Sequence, residues 1–220
     1  DLVVYRESVE GNNKGRSFEG KSPNRHNRFM MECEPLSAEV VAALREGHFG
    51  NGTIRSGDAK EVGSKFGEFG MDKDLMRKIY AINGTNVLVN DTKGIQGLHE
   101  TRELIIEAFN EVCKKGPVAD EPVMGMMVRL VDAKLHEDAI HRGPAQTIPA
   151  VRNGIKGAML RARTVLMEPM QRSHVSVPND WLGQVTREIT NRRGIIEDMP
   201  SEGEATTVIG TLPVAETFGF

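Results

Sequence analysis

The 220-residue sequence contains few aromatic residues and cysteines, and it lacks the segments that would indicate a membrane or secreted protein. Aromatic residues make up 5% of the chain, and there are two cysteines, Cys33 and Cys113. They lie far apart and form no CxxC pair, which argues against a disulfide framework and for a reducing compartment. No apolar run approaches the length of a membrane span, and no signal peptide is visible. These absences predict a cytoplasmic protein with no membrane partner.

The chain also lacks a strong charge of either sign. Its formal net charge of −3 at pH 7 excludes a uniformly basic nucleic-acid binder but allows a local basic region. A hydrophobic content of 39% and a charged content of 27% suit a soluble globular protein of one or two domains. Asp1 stands in a strand-like pattern without an initiator Met, and residues 218–220 are strand-like too. We therefore expect a piece of a longer protein, truncated at both ends.

The segment Leu135–Pro149 organises the sequence. The apolar run Met124–Val131 before it predicts a buried strand, and a helical pattern entered through Pro149 follows it. Between them, Gly143-Pro144 breaks regular structure. His141 and Arg142 are therefore predicted on a tight loop between two rigid elements, where functional residues are often found.

A metal site is one explanation for the histidines of this segment. His136-Glu137 followed by His141 resembles the helical zinc-protease motif, in which the histidines are four residues apart. Here they are five apart, which on a helix separates the side chains by about 140° rather than about 40°. Two imidazoles on one helical face could not share an ion, so no metal site is predicted.

A family resemblance explains the segment better. Residues Asp138–Gly143, with Gln146 and Ile148-Pro149, resemble the diphthamide loop of the elongation factor 2 family, the GTPases that move tRNA and mRNA through the ribosome. The resemblance implies that dedicated enzymes convert His141 to diphthamide, using S-adenosylmethionine. It also implies that diphtheria-type toxins can ADP-ribosylate the finished residue. Eukaryotic members tend to have Gly-Gly where this chain has Pro144-Ala145, so the archaeal branch is closer.

The polar segment Gly11–Asn27 is predicted to be a long exposed loop with a basic patch. Within it, Gly15–Ser22 fits the nucleotide-binding pattern GxxxxGKS. A P-loop must open directly into a helix whose amides hold phosphates, whereas Pro23 and the residues after it are turn-like and then strand-like. A P-loop nucleotide-binding protein is therefore kept as an alternative, as is an RNA-binding module outside translation.

The same loop resembles the SPNKHNR-type loop of the elongation factor 2 family, which lies beside the diphthamide loop at the tip of domain four. Cationic side chains neutralise phosphates, while Asn and Ser offer hydrogen bonds to sugars and base edges. The contacts with the ribosomal decoding site are predicted at Lys21, Ser22, Pro23, Asn24, Arg25, His26, Asn27, Arg28, Asp138, Arg142, Gly143 and Gln146.

Periodicity supplies the remaining elements. Strands are predicted at 2–5, 28–34, 86–91 and 123–135, and helices at 38–46, 72–80, 98–115 and after Pro149. Strict alternation fails near Leu130-Val131, which predicts a bulge or twist there. Residues 50–70 are predicted to be irregular. From Val165 the pattern is strand, helix, strand, strand, and 165–194 resembles the opening of domain five. An incomplete domain of that kind should leave apolar surface uncovered.

Together these patterns predict an α+β chain. Residues 1–163 would form a ribosomal-protein-S5-domain-2-like domain with a helical insertion, and residues 164–220 a partial ferredoxin-like βαββ domain. The resemblance implies the domain-four and domain-five portion of a translocase that contacts ribosomal RNA and the tRNA–mRNA duplex. No catalytic site or cofactor is predicted in it, because GTP and Mg²⁺ would belong to a G domain absent from this sequence.

Overall fold

A computed structural model describes residues 3–219, with residues 6–166 forming one unit and residues 3–5 and 167–219 a second. The boundary predicted after residue 163 stays a prediction.

The first unit contains strands β1 Arg6–Val9, β2 Phe18–Lys21, β3 Arg28–Pro35, β4 Gly52–Thr53, β5 Ile79–Asn83, β6 Asn86–Asn90 and β7 Met126–Lys134. Its helices are α1 Ala38–Arg45, α2 Ala59–Glu68, α3 Lys73–Met76, α4 Arg102–Lys114 and α5 Pro144–Arg161. Short 3₁₀ turns, Leu98–Thr101 and Ala139–Arg142, precede α4 and α5.

Six of these strands form one mixed sheet in the order β2-β3-β7-β6-β5-β4. Neighbours are antiparallel except β6 and β7, which run parallel and are connected through α4. Alternate residues of a strand face opposite sides, so both faces of the sheet can be covered. Phe29 and Val128 pack under α4 and α5, whereas Val89 and Met127 face the core that includes residues of α1 and α2.

Several elements confirm the sequence predictions. Strands β3, β6 and β7 lie where they were expected, with small changes at their ends. Helix α1 begins after Ser37, whose Oγ accepts a hydrogen bond from the Val40 amide at 3.3 Å. In β7, Leu130 pairs with Met31 and Asp132 pairs with Met30, which leaves Val131 as the bulge predicted from the failed alternation.

The glycine-rich stretch 50–70 is not irregular, so that prediction was wrong. It contains β4 and the ten-residue helix α2, whose buried residues include Ala59 and Phe66. Glycine inside a helix costs about 1 kcal/mol relative to alanine. At Gly63 it permits a close approach, because a Cβ there would lie 2.6 Å from the backbone nitrogen of Arg77. Close packing with α3 therefore overrides the poor helix propensity.

The second predicted helix is much shorter than expected. Asp72 caps α3 through its Oδ1, but the helix ends at Met76. Ile79 and Tyr80 belong instead to strand β5, where β-branched and aromatic residues are favoured. At the amino end, residues 3–5 form no strand, β1 begins at Arg6, and Leu2 lies outside the described residues.

Helix α5 begins five residues earlier than predicted. Gly143 is its N-cap and Pro144 its first residue, a position where proline's missing N–H and fixed φ are tolerated. Pro149 consequently lies inside the helix. Val151, Ile155, Met159 and Ala162, which follow the helical pattern after Pro149, are buried.

Strand β8 Thr164–Met167 spans the boundary between the two units. The main elements of the second unit follow the predicted order strand, helix, strand, strand: β9 Met170–Pro178, α6 Leu182–Asn191, β10 Ile195–Asp198 and β12 Ala205–Pro213. A two-residue strand, β11 Ser201–Glu202, lies between β10 and β12 in the sequence. Strand β12 lies between β9 and β10, and Ile189 of α6 packs with Val208 and Leu212. Trp181 and Ile195 remain 56% and 63% exposed. Residues 214–216 form a 3₁₀ turn and Phe218 is in a turn rather than a strand.

Strand β2 approaches helix α5 unusually closely, which fixes the position of the following turn. At Gly20, a Cβ would lie 2.0 Å from the Ala150 carbonyl oxygen and 2.8 Å from the Gly154 nitrogen. At Gly157, a Cβ would collide with the Phe18 ring. These glycines let a strand and a helix meet at backbone distance.

Gly20→Ala should lower the free energy of unfolding of this unit by about 1–3 kcal/mol, since the backbone must move to admit a methyl group. Urea denaturation followed by circular dichroism measures this. Burial raises the pKa of the Cys33 and Cys113 thiols, so their reaction with a thiol reagent reports opening of the same unit. Gly57→Ala, in open space, is the control. Equal midpoints for the two variants would contradict the close contact.

Candidate nucleic-acid interface

Two loops lie side by side because their strands are paired. Strand β3 begins where β7 ends, with Arg28 opposite Lys134. The turn before β3 and the segment after β7 therefore meet at one end of these two strands. We call residues 21–28 and 135–146 the tip. The structure brings all twelve predicted contact residues and His141 into this region.

The backbone of His141 is held by the opposite loop. Its carbonyl oxygen accepts hydrogen bonds from Asn27 Nδ2 at 2.7 Å and from Asn24 Nδ2 at 3.0 Å. The amide of Asn24 in turn donates to Gln146 Oε1 at 2.8 Å, which ties the turn to the first part of α5. Three side-chain amides thus join the two loops into one hydrogen-bonded unit.

Asn27 is the centre of this unit. Its side chain is fully buried, and besides His141 it reaches Ser22, with Oδ1 accepting from the His136 amide at 3.0 Å. Its own amide donates to Ser22 Oγ at 3.0 Å. A buried amide is stable only when its polar atoms are paired. Ser22 and Asn27 were predicted to contact RNA, but the structure places both inside the tip.

Arg142 is also buried, with 7% of its side chain exposed. Its Nη2 donates to Glu100 Oε2 at 2.6 Å, and its carbonyl accepts from Thr147 Oγ1 at 2.8 Å. Gly97 has φ +75°, and a Cβ there would lie 1.8 Å from Arg142 Nη1. The guanidinium thus fastens the His141 loop to the turn before α4, and it is not available as a surface cation.

Asp138 and Gly143 shape the His141 loop at its two ends. Asp138 Oδ1 accepts from the Ile140 amide at 3.0 Å, which caps the 3₁₀ turn that holds His141. Gly143 ends that turn and caps α5. Both predicted residues therefore define the backbone path of the loop.

The outer surface of the tip consists of a different set of side chains. Lys21, Pro23, Arg25, His26 and Arg28 are exposed, and His141 is half-buried. Ile140 is 78% exposed, directly before His141. The sequence motif thus divides into residues that build the tip and residues that its surface presents.

The imidazole rings of His26, His136 and His141 lie close together. The ring centroids of His136 and His141 are 4.4 Å apart, and that of His26 lies 5.0 and 5.4 Å from them. The helix geometry used to reject a shared ion does not apply, because His136 precedes the 3₁₀ turn and is not helical. Even so, residues 3–219 contain no group of three His, Cys, Asp or Glu side chains that could hold a metal ion.

The alternative of a P-loop was wrong. Residues 18–21 form strand β2, which pairs with β3, and residues 22–27 form the turn between them. Lys21 lies at the end of a strand and Ser22 is buried in the turn. No helix follows whose amides could cradle phosphates.

Two parts of the site were missed by the sequence reasoning. Glu100 and Gly97 lie about 40 residues before their partner Arg142, and no local pattern links them. Lys134 was counted only as part of the predicted strand 123–135, although it stands opposite Arg28. Reading the strand alternation to its end would have found Lys134.

Comparison with known proteins defines the class to which this fold belongs. Residues 51–163 match the family model for elongation factor G, domain IV, and residues 165–220 match that for the elongation factor G C-terminus. The first match spans half of the chain, so the chain belongs to the elongation factor G family. These matches agree with an S5-like unit followed by a ferredoxin-like unit, and they confirm the predicted α+β class.

Within that family the chain is similar to elongation factor 2 of archaea. It is 53% identical to elongation factor 2 of Picrophilus torridus over 219 residues, covering 100% of this chain and 30% of the relative. The corresponding protein of Thermoplasma volcanium is 49% identical, with 100% and 30% covered, and that of Pyrococcus horikoshii 46% identical, with 100% and 29% covered. The chain thus spans about three-tenths of these relatives' length.

Asn27→Ala should loosen both loops together, because the His136 amide and the His141 carbonyl lose a partner. The His136 amide is left unpaired, which costs about 1–3 kcal/mol when such a group is buried, whereas the His141 carbonyl keeps its bond from Asn24 Nδ2. Hydrogen exchange should accelerate in peptides covering 22–27 and 136–142, with a lower unfolding midpoint. Asn12→Ala, at an exposed amide, is the matched control. Unchanged protection of residues 136–142 would contradict the coupling.

The ion pair at Arg142 should respond asymmetrically to mutation. Glu100→Ala leaves the buried guanidinium without its carboxylate partner and should lower the free energy of unfolding by about 3 kcal/mol. Arg142→Met leaves a carboxylate that is 46% exposed and can be hydrated, so it should cost clearly less. Thermal unfolding of the two variants measures the difference. Glu61→Ala, which removes an exposed ion pair with Lys65, should change little. The reverse order of the first two variants would show that burial of Arg142 is not decisive.

Proposed function

We propose that this chain is the portion of a ribosomal translocase that reaches into the decoding site and contacts the codon–anticodon duplex. The observation that carries the proposal is the double hydrogen bond from Asn24 and Asn27 to the His141 carbonyl. It makes two loops from distant parts of the sequence into one preorganised tip. Such a tip can hold an RNA duplex in position without being remodelled on contact.

The chemistry of the tip suits an RNA minor groove. That groove is wide and shallow and displays 2′-hydroxyls and base edges, so a compact polar projection can contact it largely by shape. His26 and His141 offer ring nitrogens, while Lys21 and Arg25 offer charge to phosphates. Because Ser22, Asn27 and Arg142 are committed inside the tip, RNA contact is assigned to the exposed members of the predicted set.

His141 is a substrate in this proposal rather than a catalyst. Its carbonyl is fixed, its ring is half-buried, and it follows the highly exposed Ile140. Diphthamide-synthesis enzymes would therefore bind the loop with its backbone in a defined position and modify the ring. ADP-ribosylating toxins would act on the finished residue. Diphthamide would add length, positive charge and an amide where the tip meets RNA.

The proposal assigns no bond-making to this chain. GTP hydrolysis, with its Mg²⁺, would be carried out by a G domain of the complete factor in the cytoplasm, and the tip would maintain the reading frame as the tRNA moves. An RNA-binding role outside translation is the competing proposal. The similarity to elongation factor 2 along the whole chain favours translation. Within residues 3–219, no helix has the length and apolar character that crossing a bilayer requires.

Peptide mass spectrometry of the protein from its native source tests the assignment of His141. The expected result is a mass increase fitting diphthamide on His141 and none on His26 or His136, the internal controls in the same tip. Asn27→Ala, expressed in the same host, should lower the modified fraction, because the His141 carbonyl is no longer held. Native protein with unmodified His141 would refute the diphthamide assignment.

A further inference from the structure

A pocket lies at the end of the first unit opposite the tip, just before the first residues of β6 and β7. It is open to solvent and has a volume of about 510 Å³. Arg6 of β1, Arg45 of α1 and Lys114 of α4 contribute three permanent positive charges to its lining. None of the described residues that line it is Asp or Glu. We call it the basal pocket.

The acidic residues that neighbour these cations in the sequence are used elsewhere. Glu7, directly after Arg6, is fully buried, and its carboxylate accepts hydrogen bonds of 2.9 to 3.2 Å from three backbone amides of the loop 118–121. Glu46 follows α1, and its Oε2 lies 3.2 Å from His48 Nε2. The positive charge of the basal pocket is therefore not neutralised by the carboxylates closest to it along the chain.

Two of the three cations have no partner in the protein. The side chains of Arg45 and Lys114 are exposed and make no hydrogen bond or ion pair with another described residue. Each is the last residue of its helix, where the carbonyl end carries about half a negative charge and favours a cation. Two helix ends offset about one of three positive charges, so the basal pocket keeps a net charge of about +2.

Thr85, in the turn between β5 and β6, adds a neutral donor to the lining. It is only 8% exposed, and its Oγ1 accepts a hydrogen bond from the Gly125 amide at 3.0 Å. A hydroxyl can donate as well as accept, and this one donates to no other described residue. A buried donor without an acceptor is unfavourable, so an acceptor atom in the basal pocket would complete it.

The floor of the basal pocket is apolar. It includes Pro122, Val123 and Met124, which lead into β7, and Cys113 of α4. Burial raises the pKa of the Cys113 thiol, so the sulfur stays neutral and adds no negative charge. A volume of a few hundred Å³, apolar walls and a small number of polar groups are typical of small-molecule sites. The lining thus suits a ligand with an anionic group and an apolar part.

We propose that the basal pocket binds a phosphate monoester that carries a small apolar group. A phosphate monoester has a charge between about −1.5 and −2 at pH 7, which matches the net charge of the pocket better than a carboxylate does. The guanidinium forks of Arg6 and Arg45 fit phosphate oxygens, and the Thr85 hydroxyl can donate to a further oxygen. The apolar group would lie against Pro122 and Met124.

This site is separate from the tip, and the inference does not depend on the proposed function. Its cations come from β1, α1 and α4, and Thr85 comes from the β5–β6 turn. A bound phosphate would therefore connect the helical part that follows β3 to the strands and helix of the main sheet. A ligand that binds only the folded state also raises the melting temperature.

Isothermal titration calorimetry of the 220-residue chain with phenyl phosphate tests the site. Phenyl phosphate should bind at least fivefold more tightly than inorganic phosphate, because its ring covers the apolar floor. It should also bind about tenfold more tightly than benzoate, which has the ring but one charge. Arg45→Gln and Lys114→Gln should each weaken phenyl phosphate about tenfold, the usual worth of a hydrogen bond to a charged group. Arg45→Lys, which keeps the charge but loses the fork, should weaken it less.

Lys60→Gln, at an exposed lysine on α2, is the matched control and should leave the affinity unchanged. The melting temperatures of all variants without ligand should equal that of the wild type, because Arg45 and Lys114 hold no other residue in place. Weaker binding then cannot be attributed to unfolding.

No saturable binding of phenyl phosphate, or wild-type affinity in both Arg45→Gln and Lys114→Gln, would overturn the site. Equal affinity for benzoate would overturn the choice of a phosphate, and equal affinity for inorganic phosphate would overturn the apolar group. Displacement of phenyl phosphate by an RNA hairpin at the same phosphate concentration would show a general polyanion surface instead. The mass spectrum at His141 reads out the proposed function separately, so either conclusion can fail alone.

Discussion

The buried amide of Asn27 is the interaction on which the tip depends. Antiparallel pairing of β3 with β7 brings the two loops near each other, but proximity alone does not fix their relative position. Asn27 does so because it reaches Ser22, the His136 amide and the His141 carbonyl from one buried side chain. Since one side chain holds groups on both loops, movement of one loop disturbs the other. The precision of the His141 backbone is therefore a property of the β2–β3 turn as much as of its own loop.

Two further contacts extend this rigidity into the body of the unit. The Arg142–Glu100 pair fastens the His141 loop to the turn before α4, and the close approach at Gly20 fastens β2 to α5. Both depend on glycine, at Gly97 and Gly20, because a side chain at either position would occupy the space of its neighbour. The tip is thus anchored on both sides, to the turn before α4 and to helix α5.

The sequence predicted this architecture unevenly, for physical reasons. Apolar runs and helical periodicity found β3, β7 and α1, and the failure of alternation found the bulge at Val131. It failed in 50–70 because the glycines of α2 serve close packing, which leaves no local trace. Motif resemblance located the tip, yet could not separate Ser22, Asn27 and Arg142, which are buried, from Lys21 and Arg25, which are exposed. Burial of a polar side chain depends on distant partners such as Glu100, and no spacing rule contains that information.

This division explains why the tip motif mixes polar residue types so closely. In the β2–β3 turn, the buried Ser22 and Asn27 flank the exposed Pro23, Arg25 and His26, so scaffold and contact residues are interleaved along the chain. Asn and Ser suit the inward positions because they are short and can pair with backbone groups. Lys and Arg suit the outward positions because long stems carry their charge into solvent. A side chain that could bind RNA chemically is therefore not shown to contact it. The hydrogen bonds made within the protein decide which polar groups remain available to RNA.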